Sequence, residues 1–561
     1  MKVVIVGGVA GGATAAARLR RLDEQAQIIV FEKSGFVSYA NCGLPYFIGG
    51  VIENEEALTL QTPENFKIRF NIDVNVHHEV LAIHKEAQTV TVKNLATGEI
   101  FDESYDRLIL SPGAKPTVPN LDLTALKQVF SLRTVEDTLN IHRYIQANKP
   151  KSVLLAGGGF IGVELAENLC DLGMDVTIVQ SQPQLMAPLD SEMAAFLHST
   201  MRAHGVKLAF GHRVSNIRAV DGGVEAVFKD GGSLQADMMV LAIGVTPDTK
   251  LAKDAGLTLG IRESIVVTDK METSHKNIYA VGDAVQVKHS ITGENALISL
   301  AGPANKQGRI VADVICGLDS RYHGSQGSSV LKLFDMTMAT TGINERTAKA
   351  LGLHYDKVYL SPANHAGYYP GGNIMTMKVL FDATTYKLLG AQIVGYDGVD
   401  KRIDVLATAM HMGMTALQLK DLDLAYAPPY SSAKDPVNMA GFMIENIANG
   451  TVKQWFMEDA LPRDGSVTLL DTRTAEEYAG GHINGFQNIP VDDLRENLHT
   501  LEKTKPIYVV CQSGLRSYIA CRMLRQNGFD AYNMAGGYRL YAVVAENAQA
   551  SKEALPCGKE S

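Results

Sequence analysis

Three groups of residues in this chain have types and spacings suited to chemistry: isolated cysteines, two glycine clusters and a cysteine–arginine loop. The six cysteines stand at positions 42, 170, 316, 511, 521 and 557. They form no Cys-x-x-Cys pair and lack the dense spacing of a secreted disulfide scaffold, so a reducing cytoplasm is the expected location. Cys42 lies in Ser38-Tyr39-Ala40-Asn41-Cys42-Gly43-Leu44-Pro45-Tyr46. A thiol alone in such a segment forms a mixed disulfide, a sulfenic acid or a persulfide, not an internal disulfide. Cys511 opens Cys511-Gln512-Ser513-Gly514-Leu515-Arg516-Ser517, between the strand-like Val509-Val510 and a helical stretch. Such a loop aims several N–H groups at the sulfur, and Arg516 adds a positive charge, which together suit an anionic persulfide. Cys521 reads as a core residue of the following helix, and Cys557 as part of a frayed polar tail.

The glycine clusters point to phosphate. Gly157-Gly158-Gly159-Phe160-Ile161-Gly162 matches Gly-x-Gly-x-x-Gly in full between a strand and a helix. Glycines there permit a tight turn and close backbone approach, and the helix start offers unpaired N–H groups to a pyrophosphate. The first cluster, Gly7-Gly8-Val9-Ala10-Gly11-Gly12, keeps the outer glycines but places Val9 at the middle one. Glu32, followed by Lys33, ends the next strand, where a carboxylate suits ribose hydroxyls, so this site fits FAD or NAD. The equivalent place in the second unit holds Gln180, with no Lys or Arg before Asp190 to meet a 2′-phosphate. NADH is therefore preferred, with NADPH possible.

These residues need scaffolds. The chain of 561 residues, 46% hydrophobic and 20% charged, is long enough for several cores. An α/β fold is expected, with two Rossmann-like dinucleotide domains, an α+β domain and a C-terminal α/β domain. The strand–turn–helix pattern at 3–22 repeats at 152–172, and motifs at 278–284 return the chain to the first domain. The expected limits are 1–150 with 270–325 for a discontinuous FAD domain and 151–269 for the NAD(P)H domain. The α+β stretch covers 326–445, a linker 446–465, the last domain 466–548 and a tail 549–561. A net charge of −9 argues against a general nucleic-acid binder. Without a run of about 18 apolar residues no membrane span is expected, and the strand at the start leaves no room for a signal peptide. No metal site is expected.

Two such domains followed by Ile278-Tyr279-Ala280-Val281-Gly282-Asp283-Ala284 resemble the pyridine nucleotide-disulfide oxidoreductase family. Leu110-Ser111-Pro112-Gly113-Ala114-Lys115-Pro116 and Ala242-Ile243-Gly244-Val245-Thr246-Pro247 look like its two crossover segments. The resemblance implies that Asp283 contacts the flavin ribityl chain. It places Ser111, Gly113, Gly244, Gly282 and Ala301, with the glycine turns, at the cofactors. Many members have a second cysteine where this chain has Ser38. The single-cysteine branch includes NADH oxidases and peroxidases, whose histidine in the first turn is Ala10 here.

Asn41 to Tyr46, and Tyr426-Ala427-Pro428-Pro429-Tyr430, most closely resemble the coenzyme A disulfide and persulfide reductases of that branch. The resemblance implies a homodimer in which a tyrosine pair, here Tyr368 and Tyr426 with Tyr369 and Tyr430 as alternatives, reaches the partner's cysteine. It further implies coenzyme A binding by Thr14, Arg18, Arg21, Ser38 and Asn41. Lys67, Arg69 and Lys434 are candidate phosphate contacts, and Asn305 a residue near flavin or substrate. Asp471-Thr472-Arg473, Glu477-Tyr478, Gly481-His482-Ile483 and Asn488-Ile489-Pro490 resemble the rhodanese family. Gln512, where many thiosulfate sulfurtransferases carry a basic residue, argues against thiosulfate as the donor, and the surroundings argue against a phosphatase. The combined expectation is an FAD- and NAD(P)H-dependent reductase of coenzyme A persulfide, polysulfide or coenzyme A disulfide acting through Cys42, with Cys511 handling sulfane sulfur. The alternatives are a coenzyme A disulfide reductase with an auxiliary sulfurtransferase domain, and a redox-sensing sulfur-carrier binding protein.

Overall fold

The computed structural model describes residues 1–119, 121, 123–124 and 126–551; Cys557 lies outside the described residues. Two compact units emerge, residues 1–183 with 204–327, and residues 184–203 with 328–551.

The first unit contains two parallel five-stranded sheets built alike. One runs Ile278–Ala280, Arg107–Leu110, Lys2–Val6, Gln27–Phe31, Asp73–Asn75. Its outer strand, Ile278–Ala280, pairs in parallel with Arg107–Leu110, which is how the chain returns to its first domain. The other runs Lys207–Phe210, Asp175–Gln180, Ser152–Ala156, Met238–Leu241, Val129–Ser131. Continuous β-branched and leucine runs such as Val3-Val4-Ile5 and Val153-Leu154-Leu155 are fully buried, as a parallel sheet covered on both faces requires. Each first strand leads through a glycine turn into a helix, Ala10–Leu22 or Phe160–Asp171.

Two expected boundaries shift. Val129–Ser131 pairs with Met239–Leu241, so the second sheet recruits a strand from before residue 150. The helix Ser191–Ala203 belongs to the second unit although the strands on either side of it are in the first. Its start is held there by charge: Lys378, 1% exposed, lies 2.7 Å from Asp190 and 2.5 Å from both Glu192 and Glu345. Lys357 joins Glu345 at 2.7 Å to Glu458 at 2.5 Å. The three carboxylates around Lys378 are close enough to ligate one cation, and the ammonium supplies that charge.

The second unit contains a five-stranded antiparallel sheet, Ser329–Leu333, Met336–Gly342, Leu388–Gly395, Thr376–Asp382, Tyr355–Leu360. It also contains a parallel sheet, Lys453–Trp455, Ala531–Met534, Ile507–Val510, Thr468–Asp471, Gln487–Asn488. The expected linker 446–465 is thus partly structural, since Lys453–Trp455 closes the edge of the last sheet. Trp455 is buried there and its indole N–H donates to the Val509 carbonyl at 3.3 Å. An uncovered edge would expose unpaired backbone groups, which this strand satisfies. The terminal helix Gly537–Ala550 packs on Ser191–Ala203, and Asn547 receives hydrogen bonds from Arg202 at 2.7 Å and shares one with His198 at 3.1 Å.

Candidate active site

The two glycine turns share their outer glycines and the way those glycines are used. Gly7 N–H donates to Phe31 and Gly157 N–H to Val179, at 2.9 and 2.8 Å. A side chain at Gly12 would stand 1.9 Å from the Gly7 carbonyl, and one at Gly162 would stand 2.0 Å from the Gly157 carbonyl. Only glycine lets each helix start this close to its turn. At Gly159 the space beyond the backbone is open, so a phosphate can approach the helix start. Val9, at the matching place, precedes the first helix, which begins at Ala10, while Phe160 and Ile161 begin the second. Glu32, 8% exposed, accepts from Gly8 N–H and Ser34 N–H, both at 2.9 Å, which fixes its carboxylate at the strand end. These cradles fit two dinucleotides. Lys33 turns to Asp248 at 3.0 Å.

The crossover residues converge on the first cradle. A side chain at Gly7 would strike the Ser111 carbonyl, and the Ser111 hydroxyl lies beside Gly11 and Gly282. Gly113 and Gly244 both have positive φ, +69° and +112°. Gly282 N–H donates to Gln307 Oε1 at 2.7 Å, and the adjacent Asp283 accepts from Arg133 at 2.6 Å. Ala301 starts the helix Ala301–Ile315, which packs tightly on Ala10–Leu22 because Gly308 brings it against the Gly11 carbonyl.

Cys42 sits in the short turn Asn41–Gly43 and is exposed. The helix that follows, Leu44–Ile48, has five residues. A helix this short stabilises a thiolate only weakly, because few peptide dipoles align behind it. Desolvation raises the Cys42 pKa, Glu164 and Asp283 raise it further, and Arg133 opposes them. Glu164 is itself unusual: burial, with Glu167 beside it, lifts its carboxyl from 4.5 to about 7. It lies on Phe160–Asp171, whose Asn168 fills the space over Gly49 at the end of the helix Leu44–Ile48. The thiol thus feels acids from both dinucleotide domains.

Arg133 escaped the sequence reading. Besides Asp283 it meets Asn41: with the amide turned to suit both partners, Asn41 donates to the Arg133 carbonyl at 3.0 Å and accepts from its Nη1 at 3.2 Å. No motif marks Arg133, whose position depends on a turn between strand Val129–Ser131 and the capped helix Val135–Asn148.

The proposed coenzyme residues separate into two sets. Thr14 donates to Asn305 at 2.6 Å, joining the first helix to Ala301–Ile315, and Ser38 sits at φ +46° with its N–H on the Gly8 carbonyl at 2.8 Å. Arg18 is engaged by Asp313 at 2.7 Å and Lys67 by Asp73 at 2.7 Å, so two of the cations have carboxylate partners within the chain. Arg21, Arg69 and Lys434 are exposed. In the second unit the Tyr368 and Tyr426 hydroxyls share a 2.7 Å hydrogen bond, and both side chains are exposed.

In the last domain Cys511 is fully buried, and its Sγ accepts from Gly514 N–H at 3.1 Å and Ser517 Oγ at 3.2 Å. The helix Leu515–Gln526 begins directly after Gly514. Arg516 does not point its whole charge at the sulfur, because Glu477 takes both of its terminal nitrogens. Asp471 and Arg473 pair in the interior at 2.7 Å. Arg473 also donates to Gly481 O at 2.7 Å and lies 3.9 Å over the Tyr538 ring. Tyr538 N–H in turn donates to Cys511 O at 2.8 Å. Gly537, also missed in sequence, has φ +64° and presses on the loop so closely that a side chain would stand 2.7 Å from Cys511 O. Cys521 is buried in the helix and its thiol pKa is raised by desolvation.

Cradles for two dinucleotides and an exposed thiol within one unit define an oxidoreductase acting on sulfur, and a cysteine loop suited to sulfane sulfur is appended to it. The chain belongs to the pyridine nucleotide-disulphide oxidoreductase family, whose pattern matches residues 1–308, and carries that family's dimerisation domain at 328–436 and a rhodanese-like domain at 457–543. The family implies FAD and NAD(H) as cofactors. A coenzyme A disulfide reductase of Staphylococcus aureus is 38% identical over 444 residues, which are 79% of this chain and 99% of the relative. The crystal structure of reduced CoADR-RHD from Bacillus anthracis shares 48% identity with a TM-score of 0.94, covering 97% of this chain and 98% of that one. A NAD-dependent persulfide reductase from A. fulgidus shares 35% identity with a TM-score of 0.91, covering 96% and 100%. No helix among the described residues is long and apolar enough to cross a membrane.

Proposed function

We propose that this enzyme uses NADH to reduce coenzyme A persulfide or polysulfide, and coenzyme A disulfide as a further substrate, through Cys42, with Cys511 receiving sulfane sulfur. The observation that carries the reading is the presence in one chain of two differently housed thiols. Cys42 is exposed and unpaired, suited to attack a substrate sulfur, while Cys511 is enclosed by donors suited to hold a persulfide anion.

Attack of the Cys42 thiolate on the carbon-bound sulfur of coenzyme A persulfide expels hydrosulfide and leaves a mixed disulfide. Two electrons and a proton then restore the Cys42 thiolate and release the thiol. When bound, the flavin supplies the two-electron relay from the nicotinamide to this sulfur. Gly157, Gly159 and Gly162 hold the nicotinamide dinucleotide, and Gly7, Gly12, Glu32, Ser111 and Asp283 hold FAD. Ser38, Asn41, Thr14 and Asn305 line the thiol's approach, and exposed Arg21 and Arg69 meet the phosphates of coenzyme A. Tyr368 and Tyr426, presented by the partner in a homodimer, donate to the leaving sulfur. Gln180 favours NADH over NADPH. A reducing cytoplasm suits a chain whose described cysteines are all free thiols.

Anaerobic NADH oxidation with coenzyme A persulfide, polysulfide and coenzyme A disulfide, in wild type, Cys42→Ser and Cys511→Ser, tests this. Fastest turnover with persulfide or polysulfide, abolished in Cys42→Ser, is expected. Preference for coenzyme A disulfide assigns the last domain an auxiliary part, and full activity in Cys42→Ser refutes the mechanism.

A further inference from the structure

The turn that carries Cys42 has no covalent tether and a short helix behind it, yet one side chain joins it to the flavin-side carboxylate. Arg133 reaches Asp283 through Nη2 at 2.6 Å and Asn41 through Nη1 at 3.2 Å, while its own carbonyl accepts from Asn41 at 3.0 Å. The guanidinium is mostly enclosed, 19% exposed, as is its carboxylate partner at 14%. A planar fork that serves two partners at fixed angles is a geometry lysine cannot copy.

We propose that Arg133 is a positioning residue for the redox thiol, clamping the Asn41–Cys42 turn to Asp283 and placing its guanidinium charge beside the sulfur. The inference rests on the reading that Cys42 is the reacting thiol.

The electrostatic surroundings make this charge matter. Glu164 approaches from helix Phe160–Asp171, and Asp283 from the turn Gly282–Ala284. Tyr46, on the helix Leu44–Ile48 that follows the cysteine, is a neutral phenol that feels the thiol's charge, with burial first among the causes that raise its pKa to about 12. Burial and both carboxylates disfavour the thiolate, and Arg133 is the cation that opposes them. Arg133 pairs with Asp283, so the residue both holds that acid in place and softens its effect on the sulfur. Without the Arg133 side chain, Asp283 and Glu164 would act on the thiol unopposed, and Asn41 would keep only its bond to the main-chain carbonyl of residue 133.

The test is the pH dependence of alkylation at Cys42, followed by mass spectrometry of its peptide in FAD-loaded wild type, Arg133→Gln and Arg133→Lys. Arg133→Gln is expected to move the half-reactive pH up by about one unit, a tenfold slower reaction on the acid side. Arg133→Lys, which keeps the charge but not the fork, is expected to recover about half of that shift. Coincident midpoints in wild type and Arg133→Gln overturn the proposal. A lysine variant shifted by the full unit also overturns it, and this arm decides if the glutamine variant does not fold. Because alkylation needs no turnover, its midpoints report on Arg133 even if Cys42→Ser retains activity and the proposed mechanism fails.

Discussion

Glu477 binds both terminal nitrogens of Arg516, at 2.7 and 2.8 Å, so the one cation of the cysteine loop arrives already paired. The ion pair orients the guanidinium and reduces its pull on an anionic sulfur donor. Glu477→Gln leaves the full charge to the loop, and the KM for polysulfide in Cys511-dependent sulfur transfer to cyanide is expected to fall by about threefold, a difference of less than 1 kcal/mol. The same pair bears on acid stability. The bond to Arg516 holds the Glu477 carboxyl at about 2 against an ordinary 4.5. Its stabilisation is present above the unfolded value and is lost as pH falls from 4.5 towards 2. Denaturant titrations at both ends of that window should show a smaller acid loss in Glu477→Gln.

Gly537 tests whether the loop backbone matters apart from its charges. Gly537→Ala puts a side chain against Cys511 O at a positive φ. Cys511-dependent sulfur transfer should fall at least about tenfold, while NADH oxidation with coenzyme A disulfide, which depends on Cys42, should stay at the wild-type rate.

The hydrogen bond between Tyr368 and Tyr426 raises the Tyr368 phenol pKa and keeps it protonated. Tyr368→Phe and Tyr426→Phe should each lower persulfide reduction by about a hundredfold, the scale of a lost proton donor. Both side chains are exposed, so thermal stability should not move. The controls Tyr369→Phe and Tyr430→Phe should keep the rate; loss in these instead would reassign the donor pair.

His198 is 1% exposed, and burial, with Arg202 nearby, pushes its pKa from 6.5 down to about 3. The folded chain therefore keeps it neutral while the unfolded chain protonates it. Stability from the neutral form is complete above 6.5 and declines as pH falls towards 3. His198→Gln retains an acceptor for the Leu185 N–H that His198 now satisfies at 3.1 Å. Its unfolding free energy should change less across that window than that of wild type.

Lys378 is held charged although burial opposes it, because Glu192, Asp190 and Glu345 surround it. Lys378→Met strands those acids, and equilibrium unfolding should show a loss of about 3 to 5 kcal/mol. Release of the helix Ser191–Ala203, seen as faster hydrogen exchange there, should accompany it.

Much of this molecule is legible in the chain itself because some geometries admit few residue types. The glycines at 12 and 162 are required by helix starts, and those at 7 and 157 by crossover backbone, that leave no room for a side chain, so both dinucleotide cradles are visible as motifs. The loop Cys511 to Arg516 is contiguous, and its donors follow from a strand turning into a helix. Other features depend on residues distant in sequence. Nothing near Arg133 announces Asn41 and Asp283, and the Glu477–Arg516 pair spans two separate segments. The same is true of the carboxylates that neutralise Arg18 and Lys67, and of the short strand Lys453–Trp455 inside an apparent linker. Local sterics fix the turns within the sequence, whereas pairing of charges and closure of a sheet edge depend on which surfaces meet, and that is decided only when the chain is folded.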